Sequence, residues 1–240
     1  FLANVRNPTE RRADLRAQRA ATERAEGRVA DLLADHGEDL LSAFEAVRRY
    51  SFDRVTAALS ALPDGEYTAR DALEGDGVTD ADIPIAVTVT VDGERIEFDF
   101  AGSADQVAGN LNAPRSVTKS AVYYVLRCLL DSDVPPNAGC YEPVTVSTPP
   151  GSVLDPDPPA AVVGGNVETS QRVTDVVFSA LADAAPERVP AQGQGTMNNL
   201  TIGSRAGGSD GFTYYETIGG GFGGRAGGDG MDGVQVGMTN

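Results

Sequence analysis

Tryptophan is absent from this chain, and lysine and histidine occur once each, as Lys119 and His36. One histidine, at the end of a helical segment, is a natural partner for a helix dipole. It supplies neither a histidine-based metal cluster nor a Ser-His-Asp triad. The only cysteines, Cys128 and Cys140, show no C-x-x-C spacing, so two reduced, half-buried thiols are expected. No apolar run approaches the roughly 20 residues that cross a bilayer, and no leader pattern is visible, so a cytoplasmic protein without a membrane partner is expected. Positive charge is scarce as well. A net charge of −16 works against any sequence-independent grip on nucleic acid or on an anionic membrane.

What is present in quantity is Asp, Glu and Gly. An acidic surface with one lysine suits a salt-rich, halophile-like setting, because carboxylate hydration keeps a protein soluble where charges are screened. Its stability is accordingly expected to rise between low and molar salt in denaturant titrations. A flat or falling stability would reject that reading. At 240 residues the chain is long enough for a sizeable core. It opens on Phe1 in mid-pattern, as expected of a fragment.

Residues 1–62 read as a helical hairpin. Asn7-Pro8-Thr9-Glu10 is a helix start, and Arg11 to Leu33 is rich in Ala, Arg, Glu and Leu. His36-Gly37 ends this helix, and a second runs to Leu62. Leu15, Ala21 or Ala25, Val29 and Leu32-Leu33 leave a narrow apolar stripe on the first helix, and Leu40, Leu41, Phe44, Val47, Val55, Leu59 and Leu62 are expected to supply the buried face of the second. From residue 63 to 240 the pattern is mixed, and the region is incomplete at both ends. Glu66–Leu73, Ile83–Val91 and Glu94–Phe100 alternate as strands, the last two joined at Asp92-Gly93. The acidic link Gly75–Asp82 is expected to be mobile. Ser116–Leu130 is expected as a helix with Val117, Ala121, Tyr124, Val125 and Cys128 inward, and Tyr141–Ser147 as a strand. The whole is an α+β (mixed α/β) fold, a mixed sheet with packed helices and Gly-rich loops.

One stretch organises the chemistry. Ala160–Val163 is apolar, Gly164-Gly165 breaks it, and helical spacing restarts through Val173, Val176, Val177 and Leu181. Asn166, Glu168, Thr169, Ser170 and Gln171 crowd the first turn. There unpaired backbone N–H groups favour negative charge, so Glu168 suits the position as a plain cap or as a functional carboxylate. Two later stretches repeat the mixture of glycine and short polar side chains. One holds Gln194, Asn198 and Asn199, and the other runs from Glu216 to Gly219, Gly220 and Gly221. Backbone donors beside short polar groups on three separate surfaces would be wasteful, so the three are expected to converge. Glu216, between two tyrosines and the glycines, is expected to be partly desolvated, which would raise its pKa. Gly219-x-Gly221-x-x-Gly224 matches a dinucleotide fingerprint literally. More glycines follow it, so no helix start is expected and the match carries no weight. The segment is instead a Gly-rich loop, with Arg225, Asp229 and Asp232 as its charges.

Gly164-Gly-Asn-Val-Glu-Thr-Ser-Gln-Arg172, Gln194-Gly-Thr-Met-Asn-Asn199 and Tyr214-Tyr-Glu-Thr-Ile-Gly-Gly-Gly221 resemble the hydantoinase B/oxoprolinase family. So do Asn112-Ala-Pro114 and Pro135-Pro-Asn-x-Gly-Cys140, in the same order. The resemblance implies an interior piece of a B-type component of an ATP-dependent cyclic-amide hydrolase. That component would work in a hetero-oligomer with an A-type, nucleotide-binding subunit. The alternatives are an α-like component of an acetone-type carboxylase or a structural subunit without chemistry. ATP and a divalent metal are implied for the full complex, with no cofactor and no metal site on these residues. Opening an activated lactam needs a positioned water, a base and donors to the developing oxyanion. Glu168 and Glu216 are the candidate bases, and Asn198 and Asn199 complete the catalytic set. Asn166, Thr169, Ser170, Gln171, Gln194, Gly219, Gly220, Gly221 and Arg225 are the candidate substrate contacts.

Overall fold

The computed structural model describes residues 2–5, 7–131, 133–204 and 212–239, in two compact units, Phe1–Tyr50 and Ser51–Asn240. Helices α1 (Pro8–His36) and α2 (Glu38–Leu59) are the expected pair, divided only by Gly37. Gly37 has φ 56° and closes α1 with its N–H on the Leu33 carbonyl, 2.8 Å away. The burial expected of the stripe occurs at Val55 and Leu59 but not on α1 or the first half of α2. No residue of α1 is buried, and Leu15, Val29, Leu32, Leu33, Leu41, Phe44 and Val47 are each 40% exposed or more. Between Leu15 and Val29 the only apolar side chains are alanines, so α1 lacks a continuous stripe wide enough to seal a seam.

The division between units falls inside α2 rather than after residue 62. From Ser51 onward the helix enters the core of the second unit, burying Ser51, Val55, Thr56 and Leu59. Ser51 donates to the Pro135 carbonyl at 2.9 Å and accepts from Asn137 Nδ2 at 2.7 Å. Arg54 reaches Asp131 and Asp133 at 3.1 and 2.9 Å.

The second unit is built on a sheet of β1 (Gly65–Glu74), β2 (Asp82–Asp92), β3 (Arg95–Asp99) and β4 (Val144–Ser147), in that spatial order. The first three strands run antiparallel, and β4 lies parallel to β3. Strand β2 alternates as its sequence requires: Ile83, Ile85, Val87, Val89 and Val91 are buried and the residues between them are more open. Asp92 pairs with Arg95, leaving a two-residue loop in which Gly93 takes φ 56°, as the tight hairpin turn demands. Helices α3 (Arg115–Leu129) and α4 (Thr169–Leu181) pack beside each other, and α4 lies over β1 and β2. Val122, Val125 and Leu126 of α3 and Val173, Val177 and Leu181 of α4 are all but inaccessible. Each such aliphatic side chain contributes about 1.5–3 kcal/mol of burial.

Three local expectations are corrected. The Gly75–Asp82 link is pinned rather than mobile: Asp76 is buried and accepts from the N–H groups of Val78, Thr79 and Gly109 at 2.7–2.9 Å. Those N–H groups, led by that of Thr79, hold its carboxyl below the usual range. Cys128 is exposed and only Cys140 is buried, both as free thiols, because the inward face of α3 runs through Thr118, Val122 and Leu129. Strand β4 starts at Val144 because a 3₁₀ turn, Ala138–Tyr141, occupies the preceding residues.

A second, two-stranded sheet pairs β5 (Asn199–Gly203) antiparallel with β6 (Thr213–Thr217). After it the glycine-rich segment folds back on itself, with bridges Gly221–Asp232 and Arg225–Gly228. No helix leaves it among the described residues. No helix of the described residues is long and apolar enough to cross a membrane.

Candidate active site

The organising stretch begins with a 3₁₀ turn, Gly164–Asn166, whose two glycines are buried. They are required by close approach. A Cβ on Gly165 would lie 2.1 Å from the Asn112 carbonyl oxygen, and one on Gly164 would lie 2.7 Å from the Asn110 side chain. Asn112 is fully buried and locks the facing loop: it accepts from Val107 N–H and donates to the carbonyls of Val107, Gly109 and Ala161, all within 3.1 Å. Thr169 donates from its hydroxyl to the Leu111 carbonyl. This predicted substrate contact is therefore a structural tie between α4 and the loop before α3.

The three polar-glycine stretches meet, although the Glu216 side chain takes no part in the junction. Glu168 accepts a 2.9 Å hydrogen bond from the Thr196 hydroxyl, joining the first to the second. Asn198 sits at φ 49° and donates to Gln194 Oε1 at 2.7 Å, while its carbonyl accepts from Ile218 N–H, joining the second to the third. Gln194 is seated against Gly220, where a Cβ would lie 1.1 Å from its Oε1. Asn199 pairs with Thr217 across the ribbon, and its Oδ1 accepts from the hydroxyls of Tyr215 and Thr217 at 2.6 and 2.8 Å.

Beside this junction is a cavity of about 420 Å³. Its polar lining comes from Ser116 and Ser120 on α3, Asn166 and Ser170 at the start of α4, Tyr215 and Thr217 on β6, and Thr239. Val117, Val167, Met197 and Met238 supply the apolar surface. None of the described residues that line it carries a charge. Hydroxyl, amide and thioether groups of this kind suit a small, hydrogen-bonding ring.

Of the predicted contacts, Asn166 and Ser170 line the cavity and Gln194 supports the loop beside it, while Asn199, expected as catalytic, holds the hydroxyls of Tyr215 and Thr217. Gln171 is buried and turned to the segment 236–239. Gly219 abuts the Gly233 carbonyl and Gly221 pairs with Asp232, so both shape the glycine ribbon. Arg225 sits exposed at the tip of that ribbon.

Glu216 departs from expectation. It is exposed and accepts from the Tyr214 hydroxyl at 2.5 Å. Alternation on β6 puts Tyr215 and Thr217 toward the cavity and Glu216 on the other face, so the expected desolvation is absent. The cavity residues that the sequence reading missed were partly signalled by the same alternation. Tyr215 and Thr217 flank Glu216 at odd spacing, and Ser116 and Ser120 fall four apart on one face of α3.

Deeper in α4 is a charged group that no sequence pattern singled out. Arg172 pairs with Asp71 of β1, and its Nε is buried without a partner. Asp175, one turn on, is buried, and burial pushes its carboxyl up to about 6. Arg172 opposes that rise, Asp71 adds to it, and the Gly193 N–H opposes it.

Known proteins share this architecture. The family model for hydantoinase B/oxoprolinase matches residues 1–240. The chain is 41% identical over 239 residues to 5-oxoprolinase 1 of Arabidopsis thaliana, covering 95% of this chain and 18% of that protein. It is 34% identical over 247 residues to the B-type component of a putative D-/L-hydantoinase of Pseudomonas sp. (strain NS671), covering 97% of this chain and 41% of the relative. Among solved structures, the ATP-dependent caprolactamase from Pseudomonas jessenii superposes with a TM-score of 0.79 at 27% identity, over 97% of this chain and 40% of that one. The chain thus spans well under half the length of each of these relatives.

Proposed function

This chain belongs to the hydantoinase B/oxoprolinase family, and on that footing we propose that it is the ring-binding part of an ATP-dependent cyclic-amide hydrolase. The observation that carries this reading is the convergence of three polar-glycine stretches beside one uncharged cavity sized for a small ring. The names of its relatives, a 5-oxoprolinase, a hydantoinase component and a caprolactamase, support the same substrate class.

In this reading the amide ring lies against Val167, Met197 and Met238, and Asn166, Ser170, Tyr215 and Thr217 present donors and acceptors to its polar edge. Glu168, held by Thr196 next to the cavity wall, orients water or takes its proton. The Asn198–Gln194 pair fixes the loop that carries Thr196. In the full cytoplasmic complex ATP would bind an A-type region or subunit and supply activation of the amide oxygen, and a divalent metal would belong to that complex. The described residues fit neither group. They contain no cluster of three His, Cys, Asp or Glu able to hold a metal, and the glycine ribbon opens no helix toward a phosphate.

The test uses the complete enzyme with its ATP-binding part, assayed on hydantoin, 5-oxoproline and caprolactam. Glu168→Gln is expected to lower kcat by roughly 10²-fold or more, the usual range for a lost general base. Glu216→Gln is expected to stay within about 3-fold of wild type, because its side chain faces away from the cavity. The reverse ranking would move the base to the outer face of β6. A complete enzyme that opens no cyclic amide with ATP would end the proposal.

A further inference from the structure

We infer that Gln171 is a positioning residue: it clamps the strap Val236–Thr239, so that Met238 and Thr239 form a fixed wall of the cavity. This rests on the functional reading above and specifies how the same site is shaped. Gln171 is 3% exposed on the first turn of α4 and does not line the cavity. Its amide is engaged at both ends by the strap. Nε2 donates to the Val236 carbonyl and to the Thr239 hydroxyl, each at 3.0 Å, and Oε1 accepts from Met238 N–H at 3.3 Å. A buried side-chain amide can donate twice and accept, and this strap uses both functions.

The strap is shaped to receive it. Gly237 takes φ 56°, a conformation that disfavours side chains, and a Cβ there would lie 1.8 Å from Gln171 Oε1. Val236 is buried beside the clamp and anchors the strap from its apolar side. Met238 and Thr239, each hydrogen-bonded to Gln171, are the two strap residues that line the cavity. Gln171 thus sits behind the wall, and removing its hydrogen bonds frees Met238 and Thr239 without touching the ring. The consequence is selectivity by size. A fixed wall favours a five-membered ring held closely, and a loosened wall loses contacts to the small ring first.

Gln171→Met keeps length and burial while deleting all three bonds. In the complete enzyme it is expected to raise KM for a five-membered cyclic amide about tenfold, with kcat changed less than about threefold, since the loss is of uniform binding. KM for seven-membered caprolactam is expected to change less, narrowing the ratio between the two. Gly237→Ala is expected to act the same way, and its effect is expected to shrink in a Gln171→Ala background, where the clash is gone. Amide hydrogen exchange at Met238 and Thr239 is expected to quicken in Gln171→Met. Unchanged exchange there would overturn the clamp. Faster exchange with KM unaltered, or a loss confined to kcat, would overturn its role in shaping the site. If the wild-type enzyme opens no cyclic amide, the functional reading fails, and exchange alone then decides the clamp.

Discussion

Gly165→Ala is expected to lower the melting temperature of the second unit by roughly 6–12 °C, on the scale of about 3 kcal/mol in a domain of this size. The added methyl would lie 2.1 Å from the Asn112 carbonyl oxygen, 2.6 Å from its carbon and 2.8 Å from Ala113 Cα. These are backbone atoms, so no rotamer change relieves the overlap. Nor can the loop retreat. Asn112 ties it down through four hydrogen bonds, and the N–H groups of Gly164 and Gly165 both reach the Asn110 carbonyl, at 2.8 and 3.2 Å. Thermal unfolding followed by circular dichroism is the measurement. A variant that melts within about 2 °C of wild type would show that the turn at residues 164–166 is far looser than its geometry implies. Asn112→Ala, which strands the half-buried N–H of Val107 and three carbonyls, is expected to cost a similar amount.

Asp175→Asn is expected to make the protein more stable at neutral pH. Burial is the main cause that raises the Asp175 carboxyl to about 6, with Asp71 adding to the rise and Arg172 opposing it. A folded pKa above the unfolded one means that the folded state holds the proton more tightly. The resulting stability is complete below the unfolded value, near pH 4, and is lost as pH rises through about 6. At pH 7 the ionised carboxylate therefore costs about 3 kcal/mol before discounting for partial exposure, so a gain of about 1–3 kcal/mol is expected on its removal. Denaturant titrations between pH 4 and 7 should show the wild type weakening across that window and the variant staying flat. A less stable variant at pH 7 would mean that attraction to Arg172 outweighs burial and that Asp175 is held ionised. That outcome is physically meaningful, because Arg172 keeps one buried nitrogen without a partner and has Asp71 as its other carboxylate.

Much of the scaffold was legible in the chain itself. Alternation in Ile83–Val91 and the Asp92-Gly93 turn specify the β2–β3 hairpin, because period-two burial and a positive-φ turn residue are local properties. The glycine break and the apolar spacing that follows it placed α4 within a few residues of its observed bounds. The motifs around Gly164, Gln194 and Tyr214 pointed to the family and to three stretches that belong together. All of these signals live within one turn, one strand or one contiguous motif.

What a local pattern leaves open is which of its faces meets the rest of the molecule. On β6 the sequence puts Glu216 opposite Tyr215 and Thr217, but only the packing of the ribbon decided that the two hydroxyl residues face the cavity and the carboxylate faces water. Gln171 looked like one more polar group at a helix start. Its buried role arises from a strap more than 60 residues away in sequence. The helix stripe in Leu15–Val47 places large apolar side chains at helical spacing but is interrupted by alanines, and those side chains stay exposed. Asp76, in a link that reads as loose, is fixed by the N–H groups of Val78 and Thr79 within its own turn and by that of Gly109, 33 residues further on. For β6, Gln171 and Asp76 a part of the chain distant in sequence shares in the outcome, and the helix stripe meets none. Sequence periodicity determines which side chains share a face, and long-range packing determines whether that face meets core, cavity or solvent.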